Sequence, residues 1–280
     1  MKTKRKNRMY SDERPLVYII LLLGCVITLA PFAWMLLTSV KTQVEAVSIP
    51  PSILPRHWDF GSYLTLQDKL PFWKMYGNTV ITAIVTVLGQ LTLCSLAGYS
   101  FGRIRFPGRD ALFVLCLAVL MIPSSFLILP QYLTIQKMKL LNTLRAIFLP
   151  NLFSAFGTFL MRQFFMAIPQ ELEDAARIDG CGHGRIFTQI MVPLVKPGLV
   201  SLGVLTLRFA WNNLMWPMIV NTSTEKMTLA AGLSYLQGQY LTDYPSIMAG
   251  ALLSIIPLIV IYAIFQKQFI EGIALTGIKG

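Results

Sequence analysis

The chain has few charged side chains and lacks the residue patterns that most enzymes use. Charged residues make up 13% of its 280 residues and hydrophobic residues 55%, a balance that excludes an ordinary soluble domain. No Gly-Lys dipeptide occurs, which excludes a P-loop for nucleotide phosphates. The four cysteines show neither disulfide nor metal-ligand spacing. The two histidines are far apart in the sequence, and no nucleophile–base arrangement is seen around them. We therefore predict a membrane protein that has no catalytic residues, no metal site and no cofactor of its own.

What the chain has instead is a series of long apolar runs. Six of them are long enough, or nearly so, to cross a hydrocarbon core of roughly 30 Å. Because the bilayer holds no water to satisfy the backbone, such runs must be helical. The predicted spans are residues 16–40, 78–102, 111–133, 146–165, 198–220 and 246–266. The predicted fold class is an all-α integral membrane protein with six transmembrane helices.

Lysine and arginine set the predicted orientation. If both termini are cytoplasmic, roughly twice as many of these residues lie inside as outside, in agreement with the positive-inside rule. The net charge of +11 then reflects anchoring at the cytoplasmic side and needs no nucleic acid to explain it. The predicted regions are a cytoplasmic N-terminus (1–15), the first transmembrane helix (16–40), an extracytoplasmic segment (41–77), a core of five transmembrane helices (78–268) with a cytoplasmic loop at 169–197, and a cytoplasmic tail (269–280).

A polar island interrupts the apolar pattern between Glu171 and Pro197. Its first residues combine acids, which the helix dipole favours at a helix start, with small apolar residues. Asp179-Gly180 is a turn signal, because glycine takes a positive φ at little cost. A second amphipathic stretch follows, and Pro193 ends it. The island therefore predicts a helix–turn–helix on the cytoplasmic face that contacts another protein. The alternative is a solvated loop whose acids only cap a helix.

The spacing within the island resembles a known motif. Asp174-Ala175-Ala176, three residues, Gly180, nine residues, Ile190, one residue and Val192-Pro193 look like the EAA motif of ABC importer permeases. Two residues depart from that pattern, since Asp174 replaces Glu and Val192 replaces Leu. The resemblance extends over nearly the whole chain and is closest to the carbohydrate-uptake branch. Further segments that carry it are Asn78-Thr79, Ala97-Gly98-Tyr99, Arg103 to Gly108, Arg162 to Phe165, Trp211-Asn212, Trp216-Pro217 and Gly277 to Gly280.

The resemblance implies a permease subunit that imports a sugar and is coupled to ATPase subunits through the island. It implies as partners a second permease, two cytoplasmic ATPases that bind ATP and Mg²⁺, an extracytoplasmic substrate-binding protein, a sugar substrate and the lipid bilayer of the cell (inner) membrane. The coupling residues that it implies are Glu171, Glu173, Asp174, Ala175, Ala176, Asp179, Gly180, Ile190 and Pro193. The tail residues Lys279 and Gly280 would reach the ATPase interface.

Arg208 is an arginine inside a predicted span. At about 1.5 Å per residue it lies roughly 16 Å from Pro197, near the midplane. A charge at that depth is a functional-site hypothesis by default. Three roles stay open: a hydrated cavity-facing arginine, a pairing with the second permease, or contact with a substrate carboxylate or phosphate.

Other cavity candidates lie close to Arg208 or in another span. Trp211, Asn212 and Asn213 suit a sugar, because aromatic rings stack on apolar sugar faces and amides pair with hydroxyls. Against this, tryptophans also form interfacial belts and asparagines join helices. Gln90, in the middle of the second span, is a further candidate. A self-contained secondary transporter is the alternative function, but it would favour intramembrane acids, and all thirteen acids lie outside the predicted spans.

Overall fold

The structure, a computed structural model, describes residues 14–238 and 242–277. Within these ranges every regular element is helical, apart from one isolated bridge between Gln237 and Thr242. The helices are α1 (Arg14–Ser39), α2 (Gln43–Ala46), α3 (Gly61–Lys69), α4 (Phe72–Arg103), α5 (Arg109–Ala118), α6 (Ser124–Lys137), α7 (Leu144–Phe148), α8 (Ala155–Met166), α9 (Glu171–Ile178), α10 (His183–Leu194), α11 (Lys196–Trp211), α12 (Met215–Val220), α13 (Leu229–Leu233) and α14 (Tyr244–Gly277).

Three unbroken helices and three bent pairs are long and apolar enough to cross a membrane. The unbroken stretches are Val17–Ser39, Phe72–Arg103 and Tyr244–Ile264. The bent pairs are Arg109–Met121 with Ser124–Lys137, Leu144–Asn151 with Ala155–Met166, and His183–Leu194 with Lys196–Trp211. Counting each pair as one span gives six among the described residues, which is the predicted number.

Three predicted continuous spans are broken. The span predicted at 146–165 bends by 43° between Asn151 and Ala155, and local chemistry explains the other two breaks. The span predicted at 111–133 turns by 103° at Pro123, which has no N–H to donate and holds Ile122 in an extended conformation. The span predicted at 198–220 stops at Trp211, where the Asn212 side chain donates to the carbonyl of Arg208. A separate short helix, α12, follows after the break.

The second predicted span begins earlier than the sequence indicates. Helix α4 starts at Phe72 directly after Pro71, so its first turn lies in the segment predicted to be extracytoplasmic. By its internal contacts the chain divides into two units close to that point. One contains the residues up to Lys69 with Tyr235–Leu253, and the other contains Leu70–Ser234 with the residues from Ser254 onward.

In the first unit, buried or paired charges organise the segment between α1 and α3. Lys41 is buried, donates to the carbonyl of Ser52 and lies 4.7 Å from the centre of the Trp34 ring. The Glu45 carboxylate accepts from the backbone N–H of Arg56 and the hydroxyl of Ser52, and these hydrogen bonds hold its pKa below the ordinary value. The segment is therefore an ordered surface.

The second unit is built on the close packing of α4, α8 and α11. A buried apolar cluster runs between them and includes Cys94, Tyr99, Met161, Phe165 and Leu202. Glycines permit this approach: a Cβ on Gly98 would lie 2.8 Å from the Arg162 backbone nitrogen, and one on Gly157 would lie 2.9 Å from the Cys94 sulfur. Small residues at such contacts are typical of membrane helix packing.

We predict that Gly98→Val destabilises the membrane domain by about 1–3 kcal/mol, because the added side chain must push apart α4 and α8. The matched control is Gly77→Val on the same helix, where a Cβ has open space around it. Thermal unfolding of the detergent-purified proteins measures both. Equal melting temperatures for the two variants would contradict the close-packing account.

Candidate functional site

The polar island forms the helix–turn–helix that the sequence predicts. Helix α9 spans Glu171–Ile178, a turn follows, and α10 continues to Leu194 before the chain bends by 78° into α11. Part of α10, Ile186–Met191, has π-helical hydrogen bonding, and Pro193 follows it. The island therefore meets the span at a steep angle, as a segment lying along a membrane surface would.

Gly180 ends α9 with a left-handed cap. Its φ is +78°, which costs glycine little and strains a residue with a Cβ. The N–H of Gly180 donates to the carbonyl of Arg177 at 3.0 Å, and the N–H of Cys181 donates to that of Ala176 at 2.9 Å. These two bonds form a Schellman motif, which fixes where the chain leaves the helix. Gly180 is therefore required for the shape of the island.

A buried ion pair attaches α9 to the end of α4. The Glu173 carboxylate lies 3.6 Å from Nε of Arg103 and 3.5 Å from a terminal nitrogen of Arg177. The Arg103 guanidinium also donates to the carbonyl of Phe165, at 2.6 and 2.9 Å, and to the carbonyl of Ile168. One side chain thus joins α4, the end of α8 and the island.

Two buried residues determine which face α9 turns outward. Glu173 is only 1% exposed and Ala176 is also buried, so these two residues contact the chain's own interior. Positions 173 and 176 are three apart and share one side of the helix. Both side chains therefore face the interior of this chain, and their implied role in coupling stays a prediction. Exposed on the other sides are Glu171, Leu172, Asp174, Ala175, Ile178, Asp179 and Gly180.

The second half of the island packs inward as well. Ile186 and Met191 are fully buried, and Phe187 and Ile190 pack against the same cluster. Ile190, implied as a coupling residue, therefore anchors α10 to the core, whereas Pro193 is exposed at the bend. Lys279 and Gly280, the tail residues of the implied ATPase interface, lie outside the described residues.

The cavity candidates separate into two groups. Gln90 lines a cavity of about 270 Å³ together with Asn151, Thr206 and Phe209. Its amide donates to the Asn151 carbonyl at 2.9 Å and accepts from the Thr206 hydroxyl at 2.8 Å. Arg208 on α11 and Asn212, the residue that follows this helix, are exposed. No carboxylate among the described residues forms an ion pair with Arg208.

Trp211 differs from both groups, because it is buried and faces the interior of the second unit. Its indole N–H donates to the carbonyl of Ser254 at 3.1 Å, and its ring meets Tyr76 edge-on at 5.9 Å. Asn213 is half-buried, and its carbonyl accepts from the Thr228 hydroxyl. Contacts between helices thus hold the Trp211 ring in this structure, and its contact with a sugar stays a prediction.

Two residues of the island site escaped the sequence reasoning. Arg103 was noted only as part of a resembling segment, and nothing in the sequence shows that its partner is Glu173. Ile178 is 88% exposed at the end of α9. Its spacing of three from Ala175 and six from Leu172 is a helical signal that could have identified it. In the described ranges no group of His, Cys, Asp or Glu is arranged to hold a metal ion.

Comparison with known proteins assigns this architecture to a family. Residues 94–274 match the family described as "Binding-protein-dependent transport system inner membrane component". The chain is 32% identical to the arabinooligosaccharides transport system permease protein AraQ of Bacillus subtilis, over 99% of each chain. It is also 32% identical to the sn-glycerol-3-phosphate transport system permease protein UgpE of Escherichia coli, over 94% of this chain and 98% of that one.

The fold is also found in solved structures. One, of a bacterial ABC transporter involved in the import of the acidic polysaccharide alginate, has a chain that superposes with a TM-score of 0.80 at 24% identity. The superposition covers 95% of this chain and 98% of that one, which confirms the predicted ABC importer permease fold. Together with the matched family and the full-length relatives, it shows that the chain belongs to the binding-protein-dependent transport system inner membrane components, the permease subunits of ABC importers.

Proposed function

We propose that this chain is the membrane-spanning subunit of an ATP-driven importer that brings a sugar or oligosaccharide into the cell by alternating access. The observation that carries the proposal is α9, a short helix with a left-handed cap, an exposed outer face and a buried ion pair behind it. Its relatives are transport permeases for arabinooligosaccharides and sn-glycerol 3-phosphate, which supports a carbohydrate or a related polyol phosphate as substrate.

In this proposal the chain is not itself an enzyme. Two cytoplasmic ATPase subunits bind ATP and Mg²⁺, a second homologous permease completes the pore, and a substrate-binding protein delivers the sugar from outside. The complex lies in the plasma membrane of a bacterium or archaeon. ATP drives transport by binding one conformation of the complex better than the other, which shifts the equilibrium between them.

The geometry supports a specific route from ATP to the pore. A partner that displaces α9 acts on Glu173, and through it on Arg103 at the end of α4. Arg103 also donates to the carbonyls that end α8, so the displacement reaches the two helices that pack most closely in the second unit. Coupling of this kind requires α9 and α4 to move as one body. The buried ion pair between Glu173 and Arg103 joins them.

The exposed tip of α9 gives the first test. We predict that Ile178→Asp abolishes co-purification of the ATPase subunits and lowers binding-protein-stimulated ATP hydrolysis roughly tenfold or more, as loss of an apolar contact centre does. Its side chain is 88% exposed, so the fold loses little. The control is Leu64→Asp on α3, where an equally apolar side chain is 79% exposed in the predicted extracytoplasmic segment. Normal ATPase capture by the Ile178 variant would contradict docking on α9.

Arg208 gives a test of the transport path. It is exposed on α11 without an ion-pair partner among the described residues, so removing it costs the fold little. We predict that Arg208→Ala lowers uptake at least roughly fivefold while assembly of the complex stays intact, because an intramembrane charge is retained for function. Pull-down and uptake assays on the same preparations compare the two. An equal loss in both assays would contradict a role in the path.

A further inference from the structure

A polar floor lies in the second unit at the depth of a membrane midplane. It consists of Gln90, Asn151 and Thr206, which line the cavity of about 270 Å³ and are joined by hydrogen bonds. Thr206 lies ten residues into α11, roughly 15 Å from its start, and Gln90 lies roughly 20 Å before the end of α4. In a hydrocarbon core of roughly 30 Å, both positions are near the middle.

The backbone is irregular beside this floor. The segment between Asn151 and Ala155 separates the two parts of a span that bends by 43°, and the Asn151 carbonyl released there accepts from Gln90. Non-helical backbone at membrane depth is tolerated only where it is buried in protein or lines a water-filled cavity. Half-buried Asn151 and the cavity beside it indicate the second case. Broken helices at the midplane are also typical of substrate sites in secondary transporters.

Three phenylalanine rings border the same cavity. Phe153, Phe156 and Phe209 are each between 45% and 51% exposed, so this unit leaves about half of each residue uncovered. Phe209 belongs to an exposed stripe on α11 at a spacing of three and four residues, which also contains Leu205, Arg208 and Asn212. Half-exposed aromatic rings beside amide and hydroxyl side chains have the composition of a carbohydrate site. Sugars present both apolar ring faces and hydroxyl groups.

We propose that this cavity is a sugar-contact site of the translocation path, with Phe153, Phe156 and Phe209 stacking on the apolar faces of the sugar ring and Gln90 with Asn151 contacting its hydroxyls. The proposal rests on the proposed function and deepens it, because it assigns substrate contact to this subunit. It makes Phe209 a specificity-determining residue. Arg208 and Asn212 lie near Phe209 on the same exposed side of the chain but do not line the cavity. The competing arrangement has the same rings covered by lipid or by the second permease.

The first experiment asks whether the cavity is wet, and it requires no knowledge of the sugar. Phe209→Cys and the control Phe32→Cys are made in full complexes whose four native cysteines are replaced. Phe32 is 48% exposed on α1 and thus matches Phe209 in chemistry and exposure. A membrane-impermeant thiol reagent should label the Phe209 variant at least roughly tenfold faster than the control. The reagent is dissolved in water and therefore reaches only a thiol that water also reaches. Equal, slow labelling of both variants overturns the proposal.

The second experiment asks whether a sugar occupies the cavity. Uptake of arabinotriose, maltotriose and an alginate trisaccharide is measured for wild type, Phe209→Ala, Phe209→Trp and Phe32→Ala. For each sugar that the wild type transports, Phe209→Ala should lower uptake roughly fivefold or more, and Phe209→Trp should retain it, since a larger ring still stacks. In the control Phe32→Ala, both uptake and the ATP hydrolysis stimulated by the binding protein should change less than twofold.

The outcomes separate the two proposals. If the wild type takes up no sugar in a manner that depends on ATP and the binding protein, the proposed function fails, and the sugar site fails with it even if the thiol is labelled. If the wild type transports a sugar but Phe209→Ala is indistinguishable from Phe32→Ala, only the sugar site fails. Loss of the second permease from the purified Phe209→Ala complex would show that the rings form an interface between permeases, which also overturns the site.

Discussion

Gly180→Val is expected to abolish transport while the six spans still insert. Gly180 has a φ of +78°, and a β-branched side chain there is strained by about 1–3 kcal/mol. No neighbouring atom lies within 4 Å of its Cβ position, so the effect is conformational and not a clash. Relief of the strain opens the two cap bonds to Arg177 and Ala176 and redirects the chain after α9. A misdirected α9 no longer matches the ATPase surface, and we expect uptake to fall roughly tenfold or more.

The same loop supplies the control. Gly184→Val adds an identical side chain four residues later, where φ is not positive and the Cβ position is also open. We expect near-normal uptake from this variant, and partial activity from Gly180→Asn, because asparagine tolerates the left-handed region better than valine. Uptake and membrane insertion are compared in vesicles from cells that express each variant. Similar uptake from the two valine variants would contradict a role for the cap.

Arg103→Met is expected to have the second large effect. It leaves the Glu173 carboxylate, whose side chain is 2% exposed, with only Arg177 nearby, and it removes the donor to the carbonyls of Phe165 and Ile168. Breaking a buried ion pair from one side costs about 3–5 kcal/mol. We therefore expect a lower melting temperature, together with ATP hydrolysis that no longer responds to the binding protein. Thermal unfolding and ATPase assays on the purified complex measure both.

A double-mutant cycle shows whether the pair acts as a unit. Glu173→Gln alone and in combination with Arg103→Met should give stability losses that are not additive, with an interaction energy of about 0.5–3 kcal/mol. The control is Arg105→Met, two residues away, where the arginine is exposed. Additive losses, or a control variant as unstable as Arg103→Met, would show that the charge on Arg103 has no specific partner in Glu173.

The sequence predicted most of the fold because bilayer physics constrains it strongly. Apolar runs long enough to span must be helical, and their number and approximate positions follow from composition alone. It did not predict the 103° turn at Pro123, since hydropathy continues through that proline while its missing N–H interrupts the helix. Nor did it predict the end of α11 at Trp211, which depends on one side-chain cap by Asn212.

The sequence predicts the helix–turn–helix of the island but not which side of α9 is buried. Periodicity identified a helix, a turn and a helix, and Gly180 was correctly placed at the turn. Which side of α9 is buried depends on a contact with Arg103, 70 residues earlier in the chain, and no local pattern encodes it. The same limit applies to Trp211, whose indole N–H donates a hydrogen bond to a carbonyl on α14. Long-range partners, and not local propensity, determine which polar side chains are left for function.

In the proposed function, ATP hydrolysed by partner subunits drives sugar import through this chain. The most direct test reconstitutes the chain with its second permease and ATPases in liposomes, adds the binding protein on the extracytoplasmic side, and measures uptake of radiolabelled arabinotriose and maltotriose. Uptake should require ATP on the cytoplasmic side and the binding protein, and it should persist when an uncoupler collapses the ion gradients. Uptake that continues without the ATPases and stops with the uncoupler would contradict the account and identify a secondary transporter instead.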